Sequence, residues 1–151
     1  MKIPEGYVSC VQIFVAKGRP GEKRETVTLQ EGAGILGDRH ADGGDRQISI
    51  LLSEVRDWME AQPVPGLCFA RYKENIRISG LTPEMFREGV HFKIGDAELE
   101  ITGFSKRCFP ECQYVSEEKE CVLLHGAFYA RVVKSGKISN GDGVICMQIN
   151  A

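Results

Sequence analysis

Apolar residues recur along this chain mostly with a period of two, the spacing that sends alternate side chains to opposite faces of a strand. Over residues 8–17, Cys10, Gln12, Phe14 and Ala16 fall on one face and Val11, Ile13 and Val15 on the other. Both faces carry apolar residues, so a well-buried first strand is expected. A weaker alternation over 24–29 predicts a second strand, and 47–52 (Gln-Ile-Ser-Ile-Leu-Leu) a third. The period then changes. Val55, Trp58, Met59 and Gln62 share one side of a helix, with Ser53 placed to cap it and Pro63-Val64-Pro65-Gly66 to end it. Trp58 and Met59 on that stripe read as core residues. Alternation returns over 74–80, and Thr82-Pro83 predicts a short second helix. Residues 91–97 form a hairpin that turns at Gly95-Asp96 into a strand over 97–103, with His91 on the outer side. Strands over 128–134 and 144–149 follow, with a turn at Ser135-Gly136. Eight to nine strands and two helices, with no α–β alternation, predict a mainly β fold. Its expected form is an antiparallel barrel of about eight strands with two or more short peripheral helices.

Length and charge narrow the picture further. At 151 residues the chain is expected to form one domain, 1–151, large enough for a real hydrophobic core. With 19 basic and 21 acidic residues the net charge is −2, so nothing global points to nucleic acid or a membrane surface. The first residues, Met-Lys-Ile-Pro-Glu-Gly, lack the apolar core of a signal peptide, and the expected compartment is the cytoplasm. In that setting the six cysteines point to metal or redox chemistry rather than disulfides. Cys10 and Cys146 lie within apolar strands and read as small core residues.

Two segments carry the candidate chemistry. The first is Lys106-Arg107-Cys108-Phe109-Pro110-Glu111-Cys112-Gln113-Tyr114, reached from the 97–103 strand through Gly103. A thiol beside Lys106 and Arg107 is pushed toward its thiolate, the form that attacks sulfur and binds metals. Cys108 and Cys112 are therefore candidate nucleophiles and candidate metal ligands. The spacing Cys108-x3-Cys112-x8-Cys121-x3-His125 also offers four ligands in order for a structural zinc. A Cys108–Cys112 redox pair lacks the two-residue gap of thioredoxin-like motifs. The second segment is 32–46, where Gly32, Gly34, Gly37, Gly43 and Gly44 stand among polar residues. Arg39, His40 and Arg46 there could hold an anionic group such as a phosphate. The segment fits neither a P-loop nor a dinucleotide fingerprint.

Several motifs occur in one order: Gly34-Ile35-Leu36-Gly37-Asp38-Arg39-His40, Arg46-Gln47-Ile48-Ser49-Ile50-Leu51, Glu74-Asn75-Ile76, and Ile94-Gly95-Asp96-Ala97-Glu98-Leu99-Glu100-Ile101-Thr102. The cysteine segment, Phe128-Tyr129-Ala130-Arg131-Val132 and Gly136 to Gly141-Asp142 follow. That succession resembles the MOSC domain, found at the C-terminus of molybdenum cofactor sulfurases and as stand-alone bacterial proteins. The resemblance implies a β-rich barrel and a functional cysteine. That cysteine would carry sulfur as a persulfide or ligate molybdenum as a thiolate, with Cys112 favoured over Cys108. It implies binding of the molybdenum cofactor (molybdopterin), whose phosphate suits Arg39, His40 and Arg46, with Lys106 and Arg107 beside the thiols. Pyridoxal phosphate binding is a further expectation from the resemblance. The implied partners are a sulfur donor such as a cysteine desulfurase, or cofactor-assembly proteins and molybdoenzymes. Some relatives are cofactor-dependent reductases of N-hydroxylated compounds. The alternative is a zinc-bearing partner-binding module built on Cys108, Cys112, Cys121 and His125.

Overall fold

A computed structural model of the protein describes residues 4–64, 72–104, 112 and 126–147. Among these, the alternating apolar runs form eleven strands. They are β1 (Gly6–Ile13), β2 (Glu22–Arg24), β3 (Thr26–Gln30), β4 (Gly34–Ile35), β5 (Ile48–Leu52), β6 (Ile76–Ser79), β7 (His91–Ile94), β8 (Ala97–Phe104), β9 (Ala127–Lys134), β10 (Gly136–Ser139) and β11 (Gly143–Met147). One α-helix, α1 (Ser53–Ala61), and a 3-10 turn at Pro83–Met85 complete the described elements.

The large sheet runs β11-β7-β8-β9-β5-β6-β1-β2 and closes through an added β11–β1 pairing, so seven strands form a barrel and β2 flanks it. Gly6 and Tyr7 face Val144 and Gly143 at this seam. A second sheet, β10-β3-β4, stands beside the barrel. The mainly β barrel expected from the sequence is present. One pairing departs from the antiparallel expectation: β5 and β6 run parallel, with Ile50 opposite Ile76. A parallel neighbour needs a crossover that returns the chain to its starting end, and α1 lies within that connection.

Four local expectations are corrected. The first strand stops at Ile13, because the Phe14 N–H donates to the Asp38 carboxylate (2.7 Å) and Gly18 turns the chain at φ 81°. The run 24–29 is divided: Glu22–Arg24 pairs with β1, whereas Thr26–Gln30 joins the smaller sheet. Ser53 does not cap α1, since its hydroxyl pairs with that of Ser9 at 2.5 Å and Leu52 occupies the capping position. The second helix contracts to the three residues Pro83–Met85, and Thr82 makes no capping bond to its backbone.

Inward-facing residues of the strands fill the core. Val55 and Met59 of α1 are buried against it, and Trp58 and Cys146 pack at its edge. Cys10 is half-buried. The Phe86 ring is stacked on Phe92 and Phe128, with centroids 4.7 and 4.1 Å away. Phe86→Leu keeps an apolar side chain but removes both ring contacts, so urea unfolding should show a loss of about 1.5 kcal/mol. An unchanged midpoint would mean that leucine packs there equally well.

Candidate functional site

Five chain segments meet at one end of the barrel around a cavity of about 350 Å³. The loop after β1 contributes Phe14, Ala16, Gly18 and Arg19; the glycine-rich segment contributes Arg39, His40 and Arg46. Ser49 of β5, Tyr72-Lys73 and Asn75 before β6, and Tyr129 of β9 form the rest of the wall. Arg19, Arg39, Arg46 and Lys73 are all cationic, and among the described residues no carboxylate lines the space. In a chain whose net charge is −2, this is a local concentration of one sign. A low-dielectric cleft so lined attracts anions.

The backbone that holds these groups is tightly specified. Asp38 has a fully buried side chain, and its Oδ1 accepts hydrogen bonds from the Phe14 N–H (2.7 Å) and the Asn75 amide (3.0 Å). Its Oδ2 accepts from the His40 N–H at 3.0 Å and lies 3.3 Å from His40 Nδ1. The Arg39 N–H returns to the Phe14 carbonyl at 2.8 Å. One carboxylate thereby ties the glycine-rich segment, the end of β1 and the start of β6 together. Gly34, at φ 139°, permits this path, since a side-chain carbon there would come within 3.1 Å of the Ala41 backbone. Asn75 and Ser49 are mutually bonded, with the Ser49 N–H donating to Asn75 Oδ1 at 3.0 Å. Below them Glu74, 2% exposed, receives the guanidinium groups of Arg56 (2.7 and 3.2 Å) and Arg77 (3.0 Å).

Aromatic rings supply the apolar part of the wall. The Arg46 guanidinium lies 4.7 Å from the centroid of the Tyr129 ring, a cation–π contact. Tyr72 and Tyr129 are tilted neighbours at 6.1 Å. The Tyr72 hydroxyl is buried and reaches the Ile50 and Phe128 carbonyls at 2.7 and 3.0 Å. Burial above all pushes the Tyr72 phenol well above the ordinary tyrosine range, with Tyr129 and Glu74 adding to the effect. Tyr129 is raised by burial as well, opposed by the Arg46 charge. A phenol whose folded value lies above its unfolded one stabilises the protein fully below the unfolded value, about 10. That contribution is lost as pH climbs through the raised value. Stability should therefore fall as pH rises above about 10, and less steeply in Tyr72→Phe. Parallel slopes in the two proteins would show that Tyr72 does not titrate in this way.

The ordered barrel with its cationic end matches a known family. The MOSC domain model covers residues 37–145. The chain belongs to the MOSC domain family. Among solved structures, the YuaD protein of Bacillus subtilis superposes with a TM-score of 0.66 at 19% identity, over 95% of this chain and 97% of that one. YiiM from Geobacillus stearothermophilus gives 0.63 at 18% identity, covering 95% of this chain and 75% of the other. YiiM from Escherichia coli gives 0.61 at 18%, covering 98% and 71%. At these identities the likeness is one of fold. No curated protein matches the chain.

Within this MOSC domain, the predicted anion ligands Arg39, His40 and Arg46 do come together on the cavity. Cys112 is 3% exposed and belongs to the hydrophobic core. Cys108, Lys106 and Arg107 lie outside the described residues. So do Cys121 and His125, which leaves Cys112 as the one described member of the proposed zinc set. Among the described residues no group of three or more His, Cys, Asp or Glu side chains is placed to hold a metal, and no helix is long and apolar enough to cross a membrane. β8 nevertheless ends on the same side of the barrel. Gly103 of β8 pairs with Tyr129, and the neighbouring Thr102 hydroxyl donates to the Asp45 carbonyl next to Arg46. Sequence reasoning did not assign Arg19, Lys73, Asn75 or Tyr129 to the site. The available sign was the polar Glu74-Asn75 pair at the head of an apolar strand, where two buried polar groups must find partners.

Proposed function

We propose that this MOSC domain binds the molybdenum cofactor in the cationic cavity, with the pterin phosphate held by Arg39, Arg46 and His40 and assisted by Arg19 and Lys73. The observation that carries this reading is the meeting of four Arg or Lys side chains and one imidazole on a wall whose described residues include no carboxylate. Guanidinium groups suit phosphate because their planar forks give paired, charge-assisted hydrogen bonds. A fused heterocycle suits the Tyr129 face and the Arg46 group above it. The volume, about 350 Å³, falls within the usual range for small-molecule sites. The donor set therefore fits the group. When bound, the cofactor would supply a metal centre for sulfur or oxygen chemistry, while this chain's residues neutralise the phosphate and stack against the ring.

Family membership supports a second reading, sulfur carriage on Cys108 or Cys112. A persulfide carrier needs a thiol that a donor can reach, so for Cys112 this requires uncovering a side chain that is 3% exposed. The cavity supports cofactor binding directly, and that reading ranks first. A cysteine desulfurase or a cofactor-assembly protein would then act as donor or recipient.

Calorimetric titration separates the two. Molybdopterin should bind, inorganic phosphate should compete with it, and a dephosphorylated pterin should bind far more weakly. Pyridoxal phosphate, another ring bearing a phosphate, serves as the comparison ligand. Pterin binding that ignores the phosphate would defeat the proposal. A sulfur atom added to Cys108 or Cys112 after incubation with a desulfurase, read by mass, would favour the second reading.

A further inference from the structure

The geometry points to a second ligand site, beside the cationic cavity and across the glycine-rich segment from it. It takes a small primary ammonium that carries a hydrogen-bond acceptor next to its charge, the chemistry of an α-amino amide.

Tyr129, Arg131 and Val133 alternate with the buried Phe128, Ala130 and Val132, so they share the outer face of β9. The glycine-rich segment divides that face. Arg46 covers Tyr129 in the first cavity, whereas Arg131 and Val133 line a second cavity of about 310 Å³. Its other walls are the turn at Glu31-Gly32, the stretch Gly43-Gly44-Asp45, and Gln47.

Gln47 supplies the decisive observation. β5 ends its pairing with β9 at Ile48 and Ala130, and Val132 lies two residues further on. There the Gln47 side chain and the Glu31-Gly32 turn replace the missing strand. Gln47 Oε1 accepts from the Val132 N–H at 2.9 Å, and the Gly32 N–H donates to the Val132 carbonyl at 3.2 Å. The oxygen of the Gln47 amide is thereby committed, and its NH2 group makes no hydrogen bond among the described residues. Gln47 as a whole is only 3% exposed. Yet every side-chain nitrogen or oxygen of the described residues that is sealed off has a partner, so this NH2 must reach open space. The space that Gln47 lines is the second cavity. A donor so placed requires an acceptor from the ligand.

The charge here is opposite to that of the first cavity. Arg131 is spent on Glu100, which it meets through Nε and Nη2. Glu31 and Asp45 have no ion-pair partner among the described residues. Their backbones are fixed: the Glu31 N–H donates to the Ser135 hydroxyl at 2.7 Å, and the Asp45 carbonyl accepts from Thr102. Two carboxylates on one small cavity favour an ammonium. The Gln47 NH2 adds the demand for a carbonyl beside it. A free amino amide and the N-terminus of a peptide share this chemistry.

Titrations followed by NMR at about pH 6.5, below the α-amino range, test the site. L-Alaninamide should shift the Gln47 side-chain NH2 signal and the Gly32 and Gly44 amides until they saturate. Ethylamine has the charge without the acceptor and should bind about tenfold more weakly, the worth of one hydrogen bond. Glu31→Gln combined with Asp45→Asn should weaken both amines. Gln47→Glu keeps an oxygen for the Val132 N–H but removes the donor, so the preference for alaninamide over ethylamine should vanish. Equal binding of the two amines by the native protein, or a preference that survives in Gln47→Glu, overturns the proposal. So does alaninamide that moves none of these signals. If Gln47→Glu does not fold, the native comparison and the paired carboxylate variant decide. Trialanine amide tells the two sources apart: tighter binding than alaninamide marks a chain N-terminus as the occupant, and equal or weaker binding a free small molecule.

Discussion

Arg46→Ala should weaken binding of a phosphate-bearing ligand about a hundredfold, equivalent to about 2.7 kcal/mol. Arg46 contributes twice to the cavity. Its guanidinium can give two charge-assisted bonds to a phosphate, and it covers the face of Tyr129 at 4.7 Å. The alanine variant loses both, whereas Arg46→Lys retains the charge without the planar fork and should recover part of the affinity. Arg131→Ala is the control. That side chain is half exposed and engaged with Glu100 on another surface, so its loss should leave binding unchanged. Calorimetry with inorganic phosphate reads all three variants. Native affinity in Arg46→Ala would remove the cavity from consideration as the phosphate site.

Glu74→Ala should cost about 3 kcal/mol of stability, the lower end of the range for breaking a buried ion pair from one side. The Glu74 carboxylate is 3% exposed and holds Arg56 and Arg77, whose side chains are 16% and 28% exposed. Without it, two largely buried guanidinium groups lose the carboxylate that joins them. In a chain of this size the melting temperature should drop by roughly 6–12 °C. Lys73 and Asn75 flank Glu74 in sequence and line the cavity, so phosphate affinity should fall as well. A double variant, Glu74→Leu with Arg56→Met, tests the cause. Replacing charged partners by apolar groups of similar shape should restore part of the stability. A full loss in the double variant would point to packing rather than charge as the source.

The barrel was legible because its strands obey a two-residue period along most of their length. Leu99 and Ile101 of β8 face inward while Glu98 and Glu100 face His91 and Arg131, as alternation requires. The parallel β5–β6 pair was not legible, since alternation fixes which face is buried but not which neighbour a strand takes. The break after Arg24 was hidden for the same reason: polar residues on both sides of it give no sign that the chain changes sheet. On the cavity wall, Arg39, His40 and Arg46 could be grouped in advance because they lie close together in one glycine-rich segment. Arg19, Lys73 and Tyr129 were not, because they reach the cavity from segments far apart in sequence. Only the fold brings them to the same space.

The barrel seam joins Gly6 and Tyr7 to Gly143 and Val144, almost the full length of the chain apart. Contacts of such long sequence separation form late and slow the search for the native state. On the ribosome, the Gly6–Tyr7 part of that β1 edge waits unpaired until β11 emerges, and the nascent chain is vulnerable to association there. The cations from 19 to 73 are synthesised well before Tyr129, so the cavity wall and the barrel are completed in the same final stage of folding.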